Sequence, residues 1–167
     1  IEKMSKSKKN VVDPQQIIEN YGADTARFFM LSDSPPNRDM EWSDSGVEGS
    51  WRFLNKLWKF VITLPNKGIE DELPINISKT NKELLTFMNT TIKDVTKAID
   101  EFHFNIAVAQ IRSLFNLVSS YNIENEDDIK VIRFVTSKLL ILINPMVPHL
   151  AEELWFTLGN ENSISDE

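Results

Sequence analysis

Leu84, Met88, Ile92, Val95, Ile99 and Phe102 recur at steps of three or four residues, the repeat of a helix that buries one stripe and leaves the rest to water. Thr80, followed three residues later by Glu83, has the spacing of a capping box and sets the expected start of this helix. Ser45 and Glu48 repeat that spacing and predict a second long helix reaching about Leu64. Asn105 is the expected cap of a third, with Ile111, Leu114, Phe115 and Val118 on its buried side. Residues 127–143 predict a fourth, ending in Leu139-Leu140-Ile141-Leu142-Ile143, apolar all round and therefore central. Beyond Pro145 and Pro148 a last helix is expected from about His149 to Leu158, with Gly159 as its C-terminal cap. Four or five helices joined by short loops predict an all-α fold, an antiparallel bundle.

The first 44 residues follow a different pattern. Asp13 suits an N-cap and Pro14 a first helical position; that short helix is expected to end near Gly22, and Asp24 to cap another through Leu31. Residues 32–40, with Pro35-Pro36, predict irregular chain, as do Pro65 through Ser78. The chain therefore divides into residues 1–44 and a helical domain, 45–167.

Composition adds limits. A chain of 167 residues that is 41% hydrophobic can bury one good core. The absence of cysteine excludes disulfides and thiolate metal sites. No apolar run reaches the ~20 residues that span a bilayer, which points to a cytoplasmic, membrane-independent protein. The net charge of −7 is unevenly spread: residues 1–60 hold nine Lys/Arg against nine Asp/Glu, residues 61–167 nine against sixteen. The acidic excess, notably Glu70-Asp71-Glu72 and Glu124 to Asp128, reads as solvated loops. A neutral or basic patch on such a protein still binds phosphates, with weaker long-range steering.

Lys3-Met4-Ser5-Lys6-Ser7 carries the candidate chemistry. Two lysines alternate with two hydroxyl residues in a segment too polar to bury itself, and ammonium groups, hydroxyls and backbone N–H groups together can wrap a polyphosphate. This pentapeptide resembles the signature loop of class I aminoacyl-tRNA synthetases. The resemblance continues through Val11-Val12-Asp13-Pro14-Gln15 and Tyr21-Gly22-Ala23-Asp24-Thr25-Ala26-Arg27, and through Glu41 to Gly49 (Glu-Trp-Ser-Asp-Ser-Gly-Val-Glu-Gly). It extends to Arg52-Phe53-Leu54-Asn55-Lys56-Leu57-Trp58, Phe104-Asn105-Ile106-Ala107 and Pro148-His149-Leu150-Ala151-Glu152-Glu153-Leu154-Trp155. The segment 41–49 is similar to the bacterial leucine-specific branch. Lys9 departs from the glycine common in relatives, which makes the loop stiffer.

The resemblance implies a loop that closes over ATP with Mg2+ and steadies the pyrophosphate while leucine's carboxylate attacks the α-phosphorus. Lys6 is then the catalytic residue, with Lys3, Met4, Ser5 and Ser7 completing the loop; no residue is assigned to a metal. It also implies that residues 1–44 close a catalytic region, that 45–167 are an anticodon-binding-type domain along a tRNA stem, and that the whole enzyme is a monomer. The partner signature of the family, a His-x-Gly-His tetrapeptide, is absent, so the chain is expected to be the C-terminal part of a larger enzyme and inactive alone.

At ~100° per residue, Arg52, Lys56 and Lys59 fall within about 60° of one another, a stripe suited to tRNA phosphates or equally an ordinary solvated face. Trp51, Phe53, Leu54, Leu57, Trp58, Phe60 and Val61 are expected to face the bundle. His149 reads as a helix-start residue with a local hydrogen bond, His103 as a hinge or core residue, and Glu152 and Glu153 as carboxylates favoured by a helix start. A valine-, isoleucine- or methionine-type class I enzyme, or a non-catalytic helical RNA-binding module, remain alternatives on sequence alone.

Overall fold

The computed structural model describes residues 3–8, 10–65 and 73–167. Among them the chain forms seven α-helices: α1 (Pro14–Tyr21), α2 (Ala23–Asp33), α3 (Asp44–Thr63), α4 (Lys79–Asp100), α5 (Phe104–Ser119), α6 (Glu126–Ile143) and α7 (Pro148–Thr157). Single 3₁₀ turns lie at Lys6–Lys8 and Ile164–Asp166. The all-α expectation holds. Residues 66–72, in the expected loop and including the Glu70-Asp71-Glu72 run, lie outside the described residues.

The helices form where the stripes require, but several starts are set by other residues. Ser43, not Ser45, caps α3 by accepting from the Gly46 N–H, and Ser78, not Thr80, caps α4 by accepting from Asn81. In both places a second hydroxyl two residues later offered the capping-box spacing. Asn105 does not cap α5: His103 is the boundary residue and makes no side-chain cap. Asp13 and Pro14 act as expected in α1, and Gly159 follows α7 with φ +98°.

The turn from α4 to α5 is a Schellman motif, in which His103 N–H donates to Ala98 O (2.7 Å) and Phe102 N–H to Ile99 O (3.0 Å). That geometry places Phe102 at φ 60°, where glycine is favoured, and leaves its ring 65% exposed.

The core gathers on α6, whose Val131, Ile132, Val135, Leu139, Leu140 and Ile143 are fully buried. Against it lie Leu84, Met88 and Val95 of α4 and Ala107, Ile111, Leu114 and Phe115 of α5. On the far side Phe28 of α2 stacks on Phe53 of α3 (5.2 Å), and Phe53 meets Phe115 edge-on (5.4 Å). The Arg112 guanidinium covers both Phe28 and Phe53 at 5.2 and 4.8 Å, and burial lowers its pKa from the ordinary guanidinium value.

Two buried polar groups tie distant elements together. Arg133 donates to Pro65 O just past α3 and to Leu158 O at the end of α7, both at 2.8 Å, placing a cation on carbonyls that have lost their helical partners. Asn81 bridges the Asp128 carboxylate and the Tyr121 hydroxyl. Burial, then Asp128 and Glu124, push the Tyr121 phenol upward.

Candidate nucleic-acid interface and signature loop

The signature segment is a closed turn. Ser5 N–H donates to Asn10 Oδ1 (2.8 Å), and Asn10 Nδ2 reaches back to Lys3 O (3.4 Å). Within the turn, Lys8 N–H meets both the carbonyl and the hydroxyl of Ser5 (3.2 and 3.3 Å), and the Ser5 and Ser7 hydroxyls are 3.1 Å apart. Lys3, Met4 and Ser7 are exposed and Ser5 half-buried; the Lys6 side chain lies outside what is described. The turn therefore presents hydroxyl and ammonium groups outward on a backbone fixed by one asparagine. Asn10 escaped the sequence reading; an amide a few residues after a hydroxyl-rich turn was the available signal.

Beside the turn opens a cleft of about 950 Å³ lined by Lys3, Met4, Asn10, Ile18, Met30 and Trp42, among others. Trp42 is half-buried, edge-on to Phe29 (5.3 Å), and donates to Asp44 (2.9 Å). The loop itself carries no carboxylate. Its donors suit phosphate oxygens.

Asp24 was expected to cap its own helix. Instead Gly22 stands before α2, with no side-chain cap, and the Asp24 carboxylate crosses to α7. One oxygen accepts from Leu150 N–H at 2.7 Å, and the other lies 2.9 Å from His149 Nδ1. Asp24 is only 12% exposed, so it caps α7 from another element and satisfies an N-terminal donor that Val147 cannot. Three residues on, Arg27 donates to Pro145 O (2.9 Å) and Met146 O (3.3 Å), just beyond α6. One face of α2 thus places an anion on the positive end of α7 and a cation on carbonyls following α6. His149 is therefore bonded across the molecule, not locally. Glu152 accepts from Ile164 N–H (3.1 Å), tying down the final turn.

Arg52, Lys56 and Lys59 are all exposed on the outer side of α3. Arg52 pairs with Glu48 at 3.4 Å, whereas Lys56 and Lys59 take no ion-pair partner among the described residues. Phe53, Leu54, Leu57 and Val61 face inward as expected, but Trp51 is 42% exposed. It stands edge-on to Tyr21 (6.4 Å) at a cleft of about 600 Å³, whose wall includes Trp58, Asn55, His149 and Glu153.

Among the described residues no helix is long and apolar enough to cross a membrane, and no group of three or more His, Asp or Glu side chains is placed to hold a metal.

Two family models match: the anticodon-binding domain of tRNA ligase over residues 81–167, and tRNA synthetases class I (I, L, M and V) over residues 2–43. The leucine–tRNA ligase of Paramagnetospirillum magneticum is 45% identical over 99% of this chain and 19% of its own length. That of Geotalea uraniireducens is 46% identical over 97% and 20%. A solved LeuRS of Agrobacterium radiobacter K84, described in a ternary complex with tRNA and LeuAMS, superposes with TM-score 0.85 at 27% identity over 98% of this chain and 22% of that one. A methionyl-tRNA synthetase of Mycobacterium tuberculosis shares the fold (TM-score 0.74, 18% identity, 96% and 41% covered). The chain belongs to the anticodon-binding domain family of class I tRNA ligases, and it spans about a fifth of the length of the leucine–tRNA ligases it matches.

Proposed function

We propose that this chain is the signature-loop and tRNA-stem-contacting part of a leucine–tRNA ligase, which activates leucine with ATP and Mg2+ and transfers it to tRNA(Leu). The observation carrying this reading is the Lys3–Ser7 turn, braced by Asn10, in a chain 45% identical to a leucine–tRNA ligase over 99% of its residues. Lys6 stabilises charge developing on the leaving pyrophosphate, while Lys3, Met4, Ser5 and Ser7 form the phosphate-binding turn. Arg52, Lys56 and Lys59 hold tRNA backbone phosphates without reading bases. Residues 1–44 close the catalytic region and 45–167 form the tRNA-binding domain, within a cytoplasmic, monomeric enzyme.

The test is direct. The complete protein should catalyse leucine-dependent pyrophosphate exchange and charge tRNA(Leu), whereas the isolated 167-residue chain should do neither. Exchange driven by valine, isoleucine or methionine in place of leucine would overturn the leucine assignment, and exchange by the isolated chain would overturn the division of the site.

A further inference from the structure

The hydrogen bonds of the signature turn meet at Ser5. Its carbonyl and its hydroxyl both accept from Lys8 N–H (3.2 and 3.3 Å), and the hydroxyl lies 3.1 Å from that of Ser7. Its own N–H points out of the turn and donates to Asn10 Oδ1 (2.8 Å), while Asn10 Nδ2 donates to Lys3 O (3.4 Å). One primary amide thus gives its acceptor and its donor to two backbone groups two residues apart. Aspartate would keep the acceptor alone; leucine would keep the shape and neither bond.

Asn10 is held from its other side. Three residues on, Asp13 caps α1 by accepting from Gln15 N–H (3.0 Å), and α1 packs on α2. The half-buried amide therefore joins the turn to the helical frame. Burial does little of that work, because Lys3, Met4 and Ser7 are exposed.

The clamp has two effects of opposite sign. It occupies the Ser5 N–H, a donor that a phosphate oxygen could take, and in that respect is a brake. It also fixes Ser5, from which the Lys6–Lys8 turn departs, and so sets where the following residues leave the frame. One neutral donor is worth much less than a preorganised cation at a developing charge. Positioning outweighs competition.

We propose that Asn10 is a positioning residue for leucine activation, acting through the Ser5 backbone to aim Lys6. In that step leucine's carboxylate bonds to the α-phosphorus, and pyrophosphate leaves with the electron pair of the broken P–O bond. The proposal rests on the phosphate-binding reading of the turn and adds a residue outside the pentapeptide. A flexible ammonium finds a bound phosphate from many directions, whereas the rate depends on a group already in place as charge develops. Loss of the clamp therefore falls on kcat rather than on KM for ATP.

Leucine-dependent pyrophosphate exchange by the complete protein, with ATP varied, tests it. Asn10→Ala and Asn10→Leu should each lower kcat about tenfold, the scale of two neutral hydrogen bonds, with KM for ATP within about twofold. Asn10→Asp keeps the Ser5 acceptor and should recover part of the loss. Adding Asn10→Ala to Lys6→Ala should cost less than about twofold beyond Lys6→Ala alone, because the two act as a unit. A merely structural residue would multiply the losses. Deuterium uptake by residues 3–10 gives a second readout: protection should fall in Asn10→Ala and return in part in Asn10→Asp. Multiplied losses in the double variant, a higher kcat in Asn10→Ala, or unchanged kinetics in Asn10→Ala overturn the proposal. A full loss in Lys6→Ala with none in Asn10→Ala sinks the positioning role alone, whereas unaltered kinetics in Lys6→Ala sink the reading of the turn with it.

Discussion

The signature turn and the start of α2 lie within the same class I synthetase match, and both carry charged residues in motif-like strings, yet they use charge in opposite ways. In the turn every described hydrogen bond is local, spanning at most seven residues, and Lys3 and Ser7 face water. In α2, Asp24 and Arg27 are committed to groups 118–126 residues away. A motif whose polar groups bond only to near neighbours is available to a ligand; one that commits them to distant elements is holding the fold. Motif strings alone do not separate these roles, because only the distant partners reveal the second.

The largest expected effect breaks the comparison at the turn. Lys6→Ala in the complete protein should lower the rate of leucine-dependent pyrophosphate exchange about 10²-fold or more, the scale of losing one preorganised electrostatic donor. Its melting temperature should hardly move. Unchanged exchange kinetics would remove Lys6 from the chemistry.

At α2 the balance reverses. Asp24→Ala leaves the Leu150 N–H without its acceptor and should cost about 1–2 kcal/mol, a drop of about 2–8 °C in melting temperature for a domain of this size. Asp24→Asn keeps an acceptor and should recover much of the loss. A melting temperature unaltered by Asp24→Ala would contradict the cross-element cap.

The α3 stripe lies between these extremes. Charge reversal at Arg52 and Lys56 should raise the apparent KM for tRNA and reduce its salt slope by about one unit per lost phosphate contact at most. The exposed Glu48 pairing makes Arg52 the weaker contributor, worth little to stability in itself. Titrating tRNA KM against salt for each single reversal separates the two.

The smallest effect concerns the α4–α5 turn. Phe102→Gly relieves a positive φ and should raise stability by about 0.5–1 kcal/mol, read from a denaturant midpoint. A loss of stability would mean that the Phe102 ring, edge-on to Phe104 at 6.0 Å, contributes more than its backbone costs.

The bundle was legible because burial imposes a period. The stripe from Leu84 to Ile99 and the apolar end of α6 could satisfy no other arrangement, and α6 is indeed central. Helix starts were less legible. Ser43 and Ser45, or Ser78 and Thr80, are chemically near-equivalent, and tertiary packing of the first turn decides between them. Asn105 was misread because cap preference says nothing about a Schellman turn immediately upstream. Asp24 and Trp51 were misplaced, and Arg27 was given no role, for a common reason: their surroundings come from elements that local spacing does not encode. The signature pentapeptide was legible as a segment too polar to bury itself, while Asn10, its brace, became visible only in three dimensions.

The central claim is a division of labour: the turn serves chemistry with ATP, and the α3 stripe serves tRNA binding. Its most direct test is a crossed assay in the complete protein, with Lys6→Ala and the Arg52→Glu/Lys56→Glu pair each measured for leucine-dependent pyrophosphate exchange and for tRNA KM. The account predicts that Lys6→Ala depresses exchange about 10²-fold with tRNA KM within about twofold, and that the charge reversal does the opposite. Parallel loss of both activities in both variants would contradict it.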